Sequence, residues 1–386
     1  MNENKYDLVN WQESMDVGYQ HLQQTENYFI ERLGDNLATR LTSFNYGLLP
    51  SPDRRKSSTE FEISESVTGK VEIKLRSCNA ITAGGYRIAY NPAHTEYLSY
   101  THSFEEIQDK QNNPDTKYWD VILSINPFER IPTGIPDERE NPPRHPDVRE
   151  GYRLSIAPQG HTNYEQLGSY HLVIGRIRKY GNRYEVDSNY IPACTSMCSH
   201  PDLLKYYESF GSHLNDIERA SKLIISKIRN RAQNAPLAFH IAIICENMMH
   251  YISRIYFRYR NTGRDALPVD VADYFATLAH TCFIGLNFIS KTEKEELLRY
   301  FYEWSDITPG SFEELLSNTL SVRYDHNNIR SVMLQIDSFL QVVSELWLRL
   351  SALEYIGQHK ENIVISERSY QQDSKKKETG GWTIID

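Results

Sequence analysis

Four segments in the second half of this chain place apolar residues at alternating steps of four and three. Leu203, Tyr207, Phe210, Leu214, Ile217, Ser221, Ile224 and Ile228 form the first. Ile241, Cys245, Met248, Ile252, Ile255 and Tyr259 repeat the spacing, as do Val271, Phe275, Leu278, Cys282, Gly285 and Ile289. Ile329, Val332, Ile336, Phe339, Val343, Leu346, Leu350 and Leu353 complete the set. A mean step of about 3.5 residues is the period of helices packed in a bundle or coiled coil. A strand cannot put such residues on one side, because its side chains alternate between faces. The second and third segments are apolar beyond the seam, at Leu237, Phe239, Ile243, Ile244, Met249, Leu286 and Phe288. Such helices are covered from more than one side, by their own chain or by another subunit. Pro201, Asp202 and Pro236 suit helix starts, and Asn261-Thr262-Gly263 stops the second helix. A shorter helix is expected over Glu293 to Trp304, ahead of a break at Pro309-Gly310.

The first half reads as β. In Lys70 to Arg76, Val71, Ile73 and Leu75 alternate with Glu72, Lys74 and Arg76. Phe61 to Ser64, Tyr86 to Tyr90, Trp119 to Ile125, Tyr152 to Ile156 and His171 to Ile177 continue the pattern. Gly84-Gly85 and Gly181-Asn182 supply hairpin turns. Short strands with turn signals predict a β-sandwich. The stretch from Pro127 to Pro146, dense in proline and charge, is expected to be an exposed loop that holds no strand ladder. The fold class is therefore α+β: residues 1–195 a β-rich domain with a leading N-terminal arm, 196–357 a helical bundle, and 358–386 a flexible, polar tail.

The totals bound the function. A length of 386 residues suits about two or three domains. A net charge of -9 argues against a general affinity for nucleic acid or anionic lipid. No apolar run reaches the roughly 20 residues that a bilayer demands, and Met1 to Asn10 does not read as a secretory signal. Five scattered cysteines suit a reducing cytoplasm.

Two short stretches carry a family resemblance. Trp11, Glu13, Met15, Gln20, His21, Gln23 and Tyr28 stand in an order similar to the N-terminal signature of TssK, the baseplate subunit of type VI secretion systems. Ser14 and Leu22 depart from that pattern, where Gly and Phe are usual. At the β-to-helix junction, Asp187-Ser188-Asn189-Tyr190-Ile191-Pro192-Ala193-Cys194 resembles the crossover segment of the same family, with Ala193 in place of a second proline. Pro192 keeps Ile191 extended, so the strand ends before the helix begins. The resemblance implies a non-enzymatic homotrimer of a contractile injection system, with a β shoulder on a TssF/TssG wedge and a helical neck. It implies a cytoplasmic protein, at the inner face of the cytoplasmic membrane when assembled, and no cofactor. That family also carries a C-terminal head that docks on the membrane complex. Too few residues follow Gly357 for one, so the head is expected to be absent.

The candidate residues follow from both readings. Trp11, Glu13, Met15, Gln20, His21, Gln23 and Tyr28 are expected to contact the wedge or brace the shoulder. Ile241, Met248, Ile252, Ile255, Phe275 and Leu278 are expected at the trimer contact. Trp382, Ile384 and Ile385 form a β-prone peptide expected to dock on an envelope component by strand addition. Cys194, Cys198 and His200 are spaced loosely for zinc and lack a fourth ligand, so a buried helix entry is the expected reading. No nucleophile elbow, phosphate loop or His-Glu-x-x-His motif occurs. The competing readings are a phage-type tail or receptor-binding protein, and an enzyme with a site near the β-to-helix junction.

Overall fold

A computed structural model of the chain describes residues 6–53, 55–65, 70–91, 97–104, 118–160, 168–181, 183–230, 235–305 and 307–360. The described residues form an α+β fold in which one N-terminal helix leads into two sheets and the remaining helices follow them. The elements are α1 (Tyr19–Ala38), β1 (Gly47–Leu48), β2 (Thr59–Glu65), β3 (Lys70–Ile81), β4 (Arg87–Tyr90), β5 (Leu98–Ser103), β6 (Tyr118–Thr133), β7 (Asp147–Pro158), β8 (His171–Tyr180) and β9 (Arg183–Val186). Then come α2 (Pro201–Asn230), α3 (Pro236–Thr262), α4 (Pro268–Asn287), α5 (Lys291–Ser305), α6 (Pro309–Leu320) and α7 (Ile329–Ala352). They fall into two compact units. One takes the chain up to Tyr207 with Thr262–Val271 and Tyr324–Val332; the other takes Glu208–Asn261, Ala272–Arg323 and Met333 onward.

The first unit holds the sandwich. Long β3 pairs antiparallel with β1, β2, β4 and β5, and the second sheet runs β7-β6-β8-β9. The alternation in β3 holds, with Val71, Ile73 and Leu75 fully buried. Between the sheets, Val71, Phe104 and Trp119 cluster with Ile63, Ile156 and Tyr184. Gly175 on β8 lets the layers approach: a Cβ there would lie 2.2 Å from the Phe61 ring on β2. Gly181 turns β8 into β9 with φ +61°, so that Tyr180 opposes Arg183.

The stretch from Pro127 to Pro146 departs from expectation. After an irregularity between Asn126 and Ile131 the β6–β7 ladder resumes, pairing Ile131 with Arg149, Pro132 with Val148 and Thr133 with Asp147. Proline is tolerated because β8 pairs β6 only between Tyr118 and Ser124, so β7 is the one ladder partner at Pro132. Residues 134–146 do form an exposed connection, with Glu140 half-buried. Short β1, β5 and β9 and the helices α1 and α6 add to the elements that the sequence predicts.

The second unit is helical. Phe275 lies 5.0 Å from Phe210 and 5.3 Å from Tyr259, ring to ring. Trp347 and Phe301 meet at 5.8 Å. Lys227 gives its ammonium to the carbonyls of Ser351 (2.6 Å) and Leu353, where a cation suits the end of α7. Pro309 ends nothing but the connection: it opens α6, whose N-cap Thr308 accepts the Ser311 N–H (3.2 Å).

Candidate interaction surfaces

The N-terminal signature builds a helix start. Gly18 occupies the N-cap of α1 and has no side chain to offer. His21 supplies the missing group: its Nδ1 accepts the Gly18 N–H (3.1 Å), while its own N–H donates to the Gly18 carbonyl (3.1 Å). The Trp11 ring stands edge-on to that imidazole at 6.2 Å, yet Trp11 remains 49% exposed. Met15 is half-buried, and Glu13 and Gln20 are exposed. Gln20 and Gln23 line a shallow pocket of about 330 Å³ with Tyr6, Asp7, Gln24 and Asn27. Gln24 donates to the Asp7 carbonyl (3.0 Å), tying the arm to the helix. Tyr28 lies beneath the Arg32 guanidinium, 5.1 Å from its ring centre.

Helix α1 seats on the first unit through Gly34, where a Cβ would lie 2.8 Å from the Tyr86 ring. Gly85, at φ +82°, approaches the Gly34 carbonyl from the β3–β4 turn. Arg130 on β6 holds Asn27 (3.0 Å) and Glu26 (2.7 Å). The outward side of the helix carries Leu22 (56% exposed), Phe29 (55%) and Leu33 (64%), followed by Leu37. Four large apolar side chains on one exposed face are what a binding surface presents. Their spacing of seven, four and four places them on one side of a 3.6-residue helix, a signal present in the sequence but weaker than the motif around it.

The junction motif is buried architecture. Leu48 on β1 donates to the Ala193 carbonyl (2.7 Å), and Thr195 N–H returns to the Leu48 carbonyl (2.9 Å). Met197 and Cys198 N–H groups reach the carbonyls of Ala266 (3.0 Å) and Arg264 (3.0 Å). Gly47, at φ +112°, makes room: a Cβ would fall 2.1 Å from the Ala193 oxygen. Asp187 accepts the Asn189 N–H (3.0 Å), a side-chain turn that aims Tyr190 inward. The Cys194 thiol donates to the Pro192 carbonyl (3.2 Å), and burial pushes its pKa well up. His200 caps α2, its Nδ1 accepting the Asp202 N–H (3.2 Å). Among the described residues, no three His, Cys, Asp or Glu side chains are grouped to hold a metal.

In the second unit, Ile241, Met248, Ile252, Ile255, Phe275 and Leu278 are all buried inside the chain's own helices. The large apolar side chains left outside include Phe239 (61% exposed), Phe257 (74%) and Phe288 (82%), with Leu223, Ile284, Tyr302 and Leu334. Cys245 and Cys282 are core residues, and burial raises both thiols to about 12. Trp382, Ile384 and Ile385 lie outside the described residues. No described helix is long and apolar enough to cross a membrane.

No protein-family model matches the chain, and none of the curated proteins matches its sequence. Among solved structures it is similar to a crystal structure of TssK, at 14% identity and a TM-score of 0.46 over 86% of this chain and 68% of that one. It is similar to a TssK-TssF-TssG baseplate subcomplex of the type VI secretion system, at 12% identity and 0.44, over 88% of this chain and 100% of that one. It is also similar to a chain of the type VI secretion baseplate complex, at 14% identity and 0.48, over 88% and 69%. Those TM-scores leave the functional assignment to the residues themselves.

Proposed function

We propose that this chain is a non-catalytic baseplate subunit of the TssK kind, a homotrimer that binds TssF and TssG wedge proteins in the cytoplasm. The observation that carries the reading is the division of labour at the N-terminal signature. Its His21 caps α1 and the adjacent Gln24 tethers the arm, while Trp11 and the large apolar side chains on the outer face of the helix stay uncovered. A motif built that way presents a protein contact rather than a reaction centre. The junction motif supports the same reading, because its thiol and imidazole are occupied by a carbonyl and a helix cap. In this reading the trimer forms through the helices at the exposed Phe239, Phe257 and Phe288, while Ile241, Met248, Ile252, Ile255, Phe275 and Leu278 fill the chain's own core, and the tail at Trp382, Ile384 and Ile385 meets an envelope component.

The test is co-expression with TssF and TssG from the same gene neighbourhood. A complex containing three copies of this chain is the expected product in native mass spectrometry. Trp11→Ala should weaken capture while leaving the helix signal in circular dichroism unchanged. A chain that co-purifies with neither wedge protein would overturn the assignment.

A further inference from the structure

We infer that the flank of α1 beside the N-terminal arm takes an extended main-chain segment of a partner protein, read by side-chain carboxamides. The inference rests on the wedge-binding reading and adds the chemistry of that contact. Gln20, Gln23, Gln24 and Asn27 follow at steps of three, one and three, which puts four carboxamides on one side of the helix. All four line the pocket of about 330 Å³, together with Tyr6 and Asp7 of the arm. A carboxamide carries an acceptor oxygen and two N–H donors, so it can meet the N–H and the C=O of one peptide unit together.

The stripe already grips main chain once, since Gln24 donates to the Asp7 carbonyl of the arm (3.0 Å). Its other members keep capacity to spare. Gln23, half-buried, forms no hydrogen bond among the described residues. Gln20 makes one long contact, to the Tyr19 hydroxyl (3.5 Å). Asn27, 8% exposed, accepts Arg130 on its oxygen (3.0 Å), which leaves its amide nitrogen as a donor. Gln20 and Gln23 belong to the signature, yet the cap uses His21 and the tether uses Gln24. Charge is not what the pocket offers: Asp7 is its one carboxylate, Glu31 beside it accepts the Tyr6 N–H (3.0 Å), and Arg130 is paired with Glu26 (2.7 Å). A helix would arrive with its peptide groups already bonded, whereas an extended segment brings free N–H and C=O groups. Main-chain pairing of that kind supplies affinity with little demand on the partner's side chains.

The experiment uses the full chain and an immobilised TssF–TssG wedge complex purified from the same gene neighbourhood, with affinity read by interferometry. Gln23→Leu removes the carboxamide and keeps its bulk, while Gln23→Glu keeps an acceptor and loses both donors. Each should weaken binding by about tenfold, the loss of one paired peptide contact. Their circular dichroism should match the parent, because Gln23 supports no bond within the described chain; Gln20→Leu repeats the test at an exposed position. Affinity should change little between about 0.05 and about 0.5 M salt, since neutral hydrogen bonds are not screened. Tighter binding by Gln23→Glu, or a steep fall with salt, would assign the pocket to a cationic side chain and overturn the inference. Full affinity in Gln23→Leu and Gln20→Leu, with Trp11→Ala weakened, would overturn it while the baseplate reading stands. A parent chain that does not bind the wedge would overturn that reading, and this inference with it.

Discussion

Ser14 carries a φ of +66°, in the left-handed region where a Cβ crowds the following carbonyl. The TssK-like signature has glycine at this place, and the backbone explains why. Ser14→Gly should therefore stabilise the arm by about 0.5–1 kcal/mol, the relief of Cβ strain exceeding the extra freedom of glycine in the unfolded chain. Slower limited proteolysis at the arm would register the gain; faster cleavage would mean that the serine side chain makes a contact worth more than the strain. His200 makes a second case. Burial holds its pKa down at about 4, opposed by Asp202 and aided by Arg330 and Lys205. The unfolded histidine titrates near 6.5, so between these values the unfolded chain binds a proton that the folded chain refuses. Stability should fall as pH drops through about 6.5 and level off below about 4, by on the order of 3 kcal/mol. His200→Asn keeps an acceptor for the Asp202 N–H and removes the titration. Urea midpoints for the variant should change less between pH 7 and pH 5 than those of the parent; parallel curves would assign the acid sensitivity to other groups.

Helix α1 and the β3–β4 turn depend on two glycines at one contact. A Cβ on Gly85 would lie 2.7 Å from the Gly34 carbonyl, and its φ of +82° already disfavours any other residue. Gly85→Ala should cost about 2 kcal/mol or more, because backbone meets backbone and neither side can step aside. The loss should appear as earlier exposure of α1 in hydrogen exchange; an unchanged exchange pattern would show that the helix is held by the arm and not by this seat. The turn at Gly84-Gly85 was legible in the sequence, since paired glycines punctuate alternating runs. Its contact with a helix some fifty residues earlier was not, because no local pattern encodes a close approach between distant segments. Elements with strong periodicity are legible: β3 by alternation, and α2, α3, α4 and α7 by heptads. Two-residue β1 and four-residue β9 hold too few side chains to show a period. Pro309-Gly310 marks a break in the sequence, and the same proline opens α6 because Thr308 precedes it as cap. At the candidate surface the residue types of the signature were legible, while the capping role of His21 was hidden by Gly18, whose lack of a side chain inverts the usual direction of the cap.

At the scale of the whole molecule, the surplus of apolar residues in the helices has two destinations. Ile252 and Ile255 fill the chain's own core, at 2% and 7% exposure, so a charge at either position should unfold the bundle whatever the oligomeric state. Such variants therefore say nothing about self-association. Phe239 and Phe257 do. They lie about five turns apart on α3, which returns them to the same side of the helix, and both are largely exposed. Large aromatic side chains left in water on one face are the residues that an interface would cover. If the trimer forms through the helical region, Phe239→Ser with Phe257→Ser should lower the native mass toward that of one chain, 45.0 kDa. The far-ultraviolet circular dichroism and thermal transition should change little, because neither side chain supports the core. Light scattering of parent and variant across a concentration series makes the measurement. A parent that already weighs as a single chain would remove the trimer, and a variant that keeps the parent's mass would move the contact away from this face of α3.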